Sequence, residues 1–235
     1  MLAYPTCDID GQFHRIIPSR FPPVPLYERL GPPEVQAAAE AFEALTNPRL
    51  RAIERLAQEG ASVTQAGGPQ NWNMAPFEYP NPEGTIFLSP AYKVLELVEG
   101  LTPALVVAVE RREAFLGGSG EPPIDVEMRA LVHPVQGRFA DLTGVPFEGD
   151  QVKRWKLGAE LYETEVQGVV FHRPGLPGVR AVTVFDQGAL GRAVQSDHFK
   201  FVWNGEAVQK IGNFSTHDAM DREELFASLA GLAAA

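Results

Sequence analysis

Between Gly168 and Val208 the chain carries three short apolar runs, at 168–172, 179–185 and 199–203, rich in branched and aromatic residues and set off by glycine, proline or asparagine. Runs of this length, punctuated in this way, make strands and not helices, so this part of the molecule has to build a sheet. Asn204-Gly205, between Val202-Trp203 and Ala207-Val208, is the dipeptide of a two-residue type I′ hairpin. The first half of the chain reads differently. Prolines at 18, 22, 23 and 25 favour an extended strap. A helix is expected from Pro33-Glu34 to Thr46-Asn47, where Pro48 forces the preceding residue out of helical space. A second, from Pro48 to Gln58, places Leu50, Ile53 and Leu56 on one face and ends at Gly60.

Gly60 to Gly84 is loop-like in its Gly, Pro, Asn and Gln content, and is the segment expected to move over any cleft. Beyond it the pattern predicts a strand over Tyr92–Leu97 and a helix capped by Thr102, opened by Pro103 and running to Phe115. Gly117 to Pro123 follows as a flexible connector; coming after a helix, it lacks the helix N-terminus that would bind a phosphate. A strand over Ile124–Val132, a helix over Val152–Tyr162 and a C-terminal helix over Arg222–Ala235 complete the reading. Helices early and strands late give an α+β fold.

With 235 residues, 45% of them hydrophobic, and no long polar linker, one domain is expected. The longest purely apolar run, Ala104 to Val109, is far below the roughly 20 residues that span a bilayer, so no membrane segment is expected. The amino terminus lacks the basic start and apolar core of a secretory signal, and a single cysteine, Cys7, cannot form an internal disulfide; both lead to the expectation of a cytoplasmic protein. A formal net charge of -10 argues against nucleic acid as a partner. Arg49, Arg51 and Arg55 read as the solvated side of a helix, and Arg111 and Arg112, beside Glu110 and Glu113, as an ordinary charged helix end.

The five histidines, His14, His133, His172, His198 and His217, are scattered without the spacing of a metal site, so none is expected. Asp197 and His198 are adjacent in a strand and point to opposite faces, which disfavours them as an acid/base pair. Cys7 has nothing nearby to activate it as a nucleophile. Trp72, Trp155 and Trp203 read as core or hairpin aromatics.

Three pairs of stretches occur in a telling order. His14-Arg-Ile-Ile-Pro-Ser-Arg-Phe-Pro-Pro-Val-Pro-Leu-Tyr27 precedes Ala44-Leu-Thr-Asn-Pro-Arg-Leu-Arg51; Ala75-Pro-Phe77 precedes Asn81-Pro-Glu-Gly84; and Gly168-Val-Val-Phe-His-Arg-Pro-Gly-Leu-Pro-Gly-Val-Arg-Ala-Val-Thr-Val-Phe185 precedes His198-Phe-Lys-Phe-Val-Trp-Asn-Gly205. Together they resemble, over residues 13–212, the RES-domain family, which contains bacterial toxins that destroy NAD. The resemblance implies a fold similar to the ADP-ribosyltransferases, with a cleft between small mixed sheets, a single RES-like domain over 1–235 and a helical tail over 213–235. It also implies NAD as ligand or substrate, no further cofactor, and a helix-turn-helix antitoxin or another RES-family protein as partner.

The family is named for an arginine, a glutamate and a serine, and a gapless overlay finds none of them. The arginine position falls on Ile86, the glutamate position on Val107 and the serine position on Arg173. A family tyrosine falls on Glu96, with Leu95 and Leu97 as the alternatives for a shift of one residue. The early family arginine persists as Arg15. Cleavage of the glycosidic bond in NAD needs a carboxylate near the charge developing on the ribose, and valine supplies none. The expectation is therefore a kept fold with a degenerate site, binding or regulating without catalysis, with Arg15, Glu96, His172 and Arg173 as ligand-binding candidates. The alternative is an NAD glycohydrolase, phosphorylase or ADP-ribosyl transferase that uses Glu96 as a replacement carboxylate. Residues 86 and 107 are expected to face one another across one apolar wall.

Overall fold

A computed structural model describes residues 4–18, 71–79, 81–145 and 150–232. The strap beyond Pro18, the two helices expected between 33 and 58, the arginines at 49, 51 and 55 and the side chain of Trp72 lie outside the described residues.

The described chain is mixed α/β, with four α-helices and one eight-stranded sheet. Its elements are β1 (Thr6–Pro18), α1 (Asn71–Glu78), β2 (Leu95–Glu99), α2 (Leu101–Ser119), β3 (Ile124–Asp141), α3 (Gln151–Tyr162), β4 (Gly168–His172), β5 (Arg180–Val184), β6 (Val194–Trp203), β7 (Val208–Asn213), β8 (Ala219–Asp221) and α4 (Arg222–Leu232). The strand order is β1-β2-β5-β4-β3-β6-β7-β8, with β1 also paired to β3. Strands β1, β2, β5, β4 and β3 therefore close into a ring, and β6 to β8 extend the sheet from β3. All pairs are antiparallel except β3 with β4.

The strands make one continuous sheet and not separate small ones, because two long strands run through it. Residues of β3 from Ile124 to Val132 pair with β6, whereas Ala140 and Asp141 pair with β4. Across its other edge β3 pairs with the whole of β1, from Thr6↔Ala140 to Pro18↔Met128. The 18-residue β3 is twice the length its alternation predicts, and β1 has no counterpart in the sequence reading. Both owe their length to this mutual, long-range pairing.

Local signals place β2, β4 and β5 well, whereas β6 begins five residues before its expected start at Phe199 and β8 has no expected counterpart. Strand β4 has the expected bounds, and β2 and β5 lie within a few residues of theirs. The hairpin between β6 and β7 is present but shifted: Asn204 N–H donates to Ala207 C=O at 3.1 Å, and Asn204 Oδ1 accepts from the Glu206 and Ala207 amides. The turn centres on Gly205-Glu206 because the Asn204 side chain takes a capping role, with Gly205 at φ 101°.

Helix α1 contradicts the loop expected across 71–78. Buried Phe77 anchors it, and the Asn73 side chain ties it down by donating to Gly191 C=O at 2.8 Å and meeting His133 Nδ1 at 2.8 Å. These tertiary contacts outweigh a composition poor in helix formers. Helix α2 starts at Leu101 after Gly100, without a side-chain cap, so Thr102 is not the N-cap. It runs on to Ser119 and is closed by left-handed Gly120 at φ 64°, so Gly117 to Ser119 belong to the helix and not to a connector. Gly118 has nothing within 4 Å of where a Cβ would stand. Gly118→Ala is expected to stabilise the fold by about 0.5–1 kcal/mol through helix propensity, seen as a higher urea midpoint with an unchanged slope.

The core of the described residues divides into clusters. One lies under α2 and α4 and holds Val106, Val107, Phe199, Phe201, Trp203 and Leu225. A second surrounds Phe13, Leu95, Leu97 and Phe139, and a third surrounds Phe87, Leu142, Leu161 and Phe171. Trp203 is the core aromatic expected, its Nε1 donating to Glu121 C=O at 3.0 Å. Strand β2 is buried from Leu95 to Val98, as a strand covered on both faces must be. That burial is what makes a glutamate at position 96 conspicuous.

Candidate functional site

Glu96 sits in the middle of β2 with its side chain 3% exposed. Its carboxylate collects three donors: Arg111 Nη2 at 2.8 Å and Arg173 Nη1 at 2.9 Å, both to Oε1, and the Ile86 amide at 3.1 Å to Oε2. Burial alone would push the carboxyl up. The charges of Arg111 and Arg173, with the Ile86 amide, outweigh it and hold Glu96 below the ordinary carboxylate range.

Each donor arrives from a different element. Arg111 projects from α2 one turn beyond Val107, on the same helix face. Arg173 follows β4, with its amide bonded to Val179 C=O and its side chain 11% exposed. Among the described residues its Nε has no partner, so Glu96 is its sole anion. Ile86 lies in a turn closed by Thr85 N–H to Leu88 C=O at 2.7 Å. Helix α3 braces that turn: Trp155 Nε1 donates to Thr85 C=O at 2.9 Å, and Gln151 Nε2 donates to Thr85 C=O at 3.1 Å.

Beside this cluster is a cavity of about 400 Å³ whose charged lining is Arg15, Arg111, Arg112, Glu96 and Glu83. Arg15, half-buried on β1, has no carboxylate within ion-pair distance among the described residues. Burial first, then the charge of Arg111, lower its pKa to about 10, against a smaller opposing effect of Glu96. It remains a cation at neutral pH. The apolar part of the lining includes Ile16, Val94 and Met128 as well as Tyr79 and Phe115. A smaller pocket of about 20 Å³ touches His14, Arg15, Glu96, Val107 and Arg111.

The positions singled out in the sequence thus converge in part. Arg173 pairs with Glu96 and Arg15 lines the same pockets as Glu96, with Val107 in the smaller pocket and the Ile86 amide on the Glu96 carboxylate. His172 does not join them: it is exposed at the end of β4, opposite Arg180, because successive strand residues point to opposite faces. Nor do residues 86 and 107 share a wall. The Ile86 side chain packs with the Phe87 and Phe171 cluster, whereas Val107 belongs to the cluster under α2. An arginine at 86 would therefore not be placed to pair with a glutamate at 107.

Arg111 and Arg112 are not an ordinary helix end. Both line the cavity, and Arg112 lies over the Phe115 ring at 5.0 Å. Their neighbour Glu113 is also engaged, accepting two bonds from Arg222 at 2.8 and 2.9 Å and one from the Val208 amide at 3.0 Å. No group of three or more His, Cys, Asp or Glu among the described residues could hold a metal ion. No helix among them is long and apolar enough to cross a membrane.

No family model matches the chain. It is 40% identical to the uncharacterized protein y4oC of Sinorhizobium fredii (strain NBRC 101917 / NGR234) over 208 residues, which are 88% of this chain and 89% of the relative. Identity at that level, spread over nearly the full length of both proteins, puts this chain in the family of y4oC.

Proposed function

We propose that the chain is a RES-fold protein, related to NAD-degrading toxins and similar in architecture to the ADP-ribosyltransferases, that has lost catalysis and acts by binding an anionic ligand in the cavity beside Glu96. One observation carries this reading: the acid on the cavity wall is already spent. Glycosidic cleavage needs a carboxylate whose charge is available to the ribose. Both oxygens of Glu96 are occupied, and two guanidinium groups share one of them. Removing a positioned acid or base slows catalysis by about 100- to 10,000-fold. The cations left over suit a phosphate group, which Arg binds in a planar fork.

The test measures binding and chemistry together. NAD titrated calorimetrically into the full chain should give saturable heat, while nicotinamide release, with and without phosphate, stays at background even at high protein concentration. Turnover like that of an active RES toxin would overturn the reading.

A second reading, an NAD-cleaving enzyme with Glu96 as replacement carboxylate, has a specific observation in its favour. Glu96 lines the same cavity as Arg15 instead of lying outside it. Its two arginine partners weigh against this route. The partner implied by the resemblance is a helix-turn-helix antitoxin, and co-purification from the native host tests it directly.

A further inference from the structure

The resemblance suggests a dinucleotide, yet the chemistry of the cavity favours something smaller and more highly charged. We propose that its ligand is a phosphomonoester of mononucleotide size, with the doubly charged phosphate received by Arg15 and Arg111 and the body lying toward Tyr79 and Phe115. The proposal rests on the reading above, that the cavity binds without cleaving.

Charge is the first argument. Arg15, Arg111 and Arg112 face Glu96 and Glu83 around the cavity, and Arg173 stands behind Glu96. Among the described residues, four guanidinium groups against two carboxylates leave two positive charges locally, in a chain whose formal net charge is -10. A phosphomonoester dianion matches that excess on a single phosphorus, whereas NAD spreads two charges over its pyrophosphate and offsets one with its cationic nicotinamide.

The arrangement of the cations is the second. Arg15 has no carboxylate partner among the described residues and lies close enough to Arg111 to feel its charge. Like charges in a partly desolvated site are costly until an anion bridges them. Arg111 can turn toward such an anion because its side chain is 40% exposed, while Arg173, at 11%, stays to neutralise Glu96. A phosphomonoester offers three acceptor oxygens for this bridge.

Size and lining are the third. At about 400 Å³ the cavity is near the small end of the roughly 300–1,000 Å³ typical of small-molecule sites. Phe115 is 54% exposed with the Arg112 guanidinium 5.0 Å over its ring, and together with Tyr79, Pro76 and Pro82 it adds apolar surface to the lining. A base or sugar attached to the phosphate would cover that surface.

The probes are adenosine 5′-monophosphate, ribose 5-phosphate, inorganic phosphate, adenosine and NAD, titrated calorimetrically into the full chain at pH 7.5 and 5.5. The monophosphate is expected to bind at least tenfold more tightly than adenosine, phosphate or NAD. Its affinity should also rise about fourfold from pH 5.5 to 7.5 as the second phosphate proton, with a pKa of about 6, is lost; that of NAD should not. The groups facing the phosphate cannot produce this rise. From β1 come Arg15, still a cation, and His14, which burial pushes below the ordinary imidazole range; from β3 comes His133, lowered by burial to about 3. Glu96 on β2 is held ionised, Arg111 and Arg112 come from α2, and Glu83 completes the charged lining. Protonating His14 at low pH would strengthen anion binding, the opposite sign.

Arg15→Gln should weaken the monophosphate at least tenfold, and Arg112→Gln should weaken it less. If Arg15→Gln does not fold, the pH dependence of the unaltered protein decides. Ribose 5-phosphate binding as tightly as the nucleotide would keep the phosphomonoester and identify a sugar phosphate as its source. NAD binding as tightly as the monophosphate would overturn the inference and leave the non-cleaving reading standing. Inorganic phosphate binding equally well, or no phosphate binding at all, would also overturn it. Nicotinamide release at a toxin-like rate would instead remove the reading on which it rests.

Discussion

Glu96→Ala is expected to lower the melting temperature by about 6–20 °C, the loss that follows from about 3–5 kcal/mol in a chain of this size. The magnitude comes from what the substitution leaves behind. Arg173 is almost wholly enclosed, with Glu96 as its anion, and an alanine in that place would strand its charge beside an Ile86 amide that has also lost its acceptor. Arg111 adds little, because its partly exposed guanidinium can turn to water. Removing both charges should hurt less than removing one: Glu96→Leu with Arg173→Met is expected to be more stable than Glu96→Leu alone. The effect also has a pH signature. Glu96 is held below its unfolded value of about 4.3, so its stabilisation is fully present above that pH and is lost as pH falls through the lower folded value. Melts of the two proteins should therefore differ most near neutrality and draw together as the pH falls below about 4.3. A variant that melts with the parent at pH 7 would mean that the triad is not formed.

Where neighbouring residues settled the structure, the sequence was readable; where distant ones did, it was not. Strand β4 lies where its own valines and the flanking glycine and proline put it, and α3 begins beside Asp150, whose side chain accepts from the Val152 amide at 2.9 Å. Strand β1 mixes Asp8, Asp10, Gly11, Gln12 and Arg15 among its apolar residues, and only its thirteen-residue pairing with β3 makes it a strand. The site shows the same division. Arg15, Glu96 and Arg173 could be named from motif positions, but Arg111 could not, since Glu110-Arg-Arg-Glu113 looks like any solvated helix end. The available signal was its spacing: Arg111 is four residues from Val107, so whatever Val107 faced, Arg111 would face too. His172 was misplaced for the converse reason, that adjacency in sequence to Arg173 separates two side chains when the chain is extended.

Gly158→Ala is expected to destabilise the protein by about 1–3 kcal/mol or more, although in most helices the same change helps by up to about 1 kcal/mol. The sign is reversed by contact. A Cβ at 158 would overlap the Phe87 carbonyl oxygen and stand 2.7 Å from its carbon. Those are backbone atoms of the turn that presents the Ile86 amide to Glu96, and Phe87 itself is fully buried, with its ring 4.7 Å from that of Phe171. The turn cannot retreat without disturbing this packing, nor can α3 lift away without breaking the Trp155 and Gln151 bonds to Thr85 C=O. The loss should therefore appear twice, as a lower melting temperature and as weaker anion binding in the cavity, although residue 158 is not among the cavity-lining residues. Gly118→Ala, with open space around its Cβ, is the matched control and should move stability the other way. If both alanines stabilise, α3 does not press on the turn at Phe87, and the support proposed for the Ile86 amide is absent.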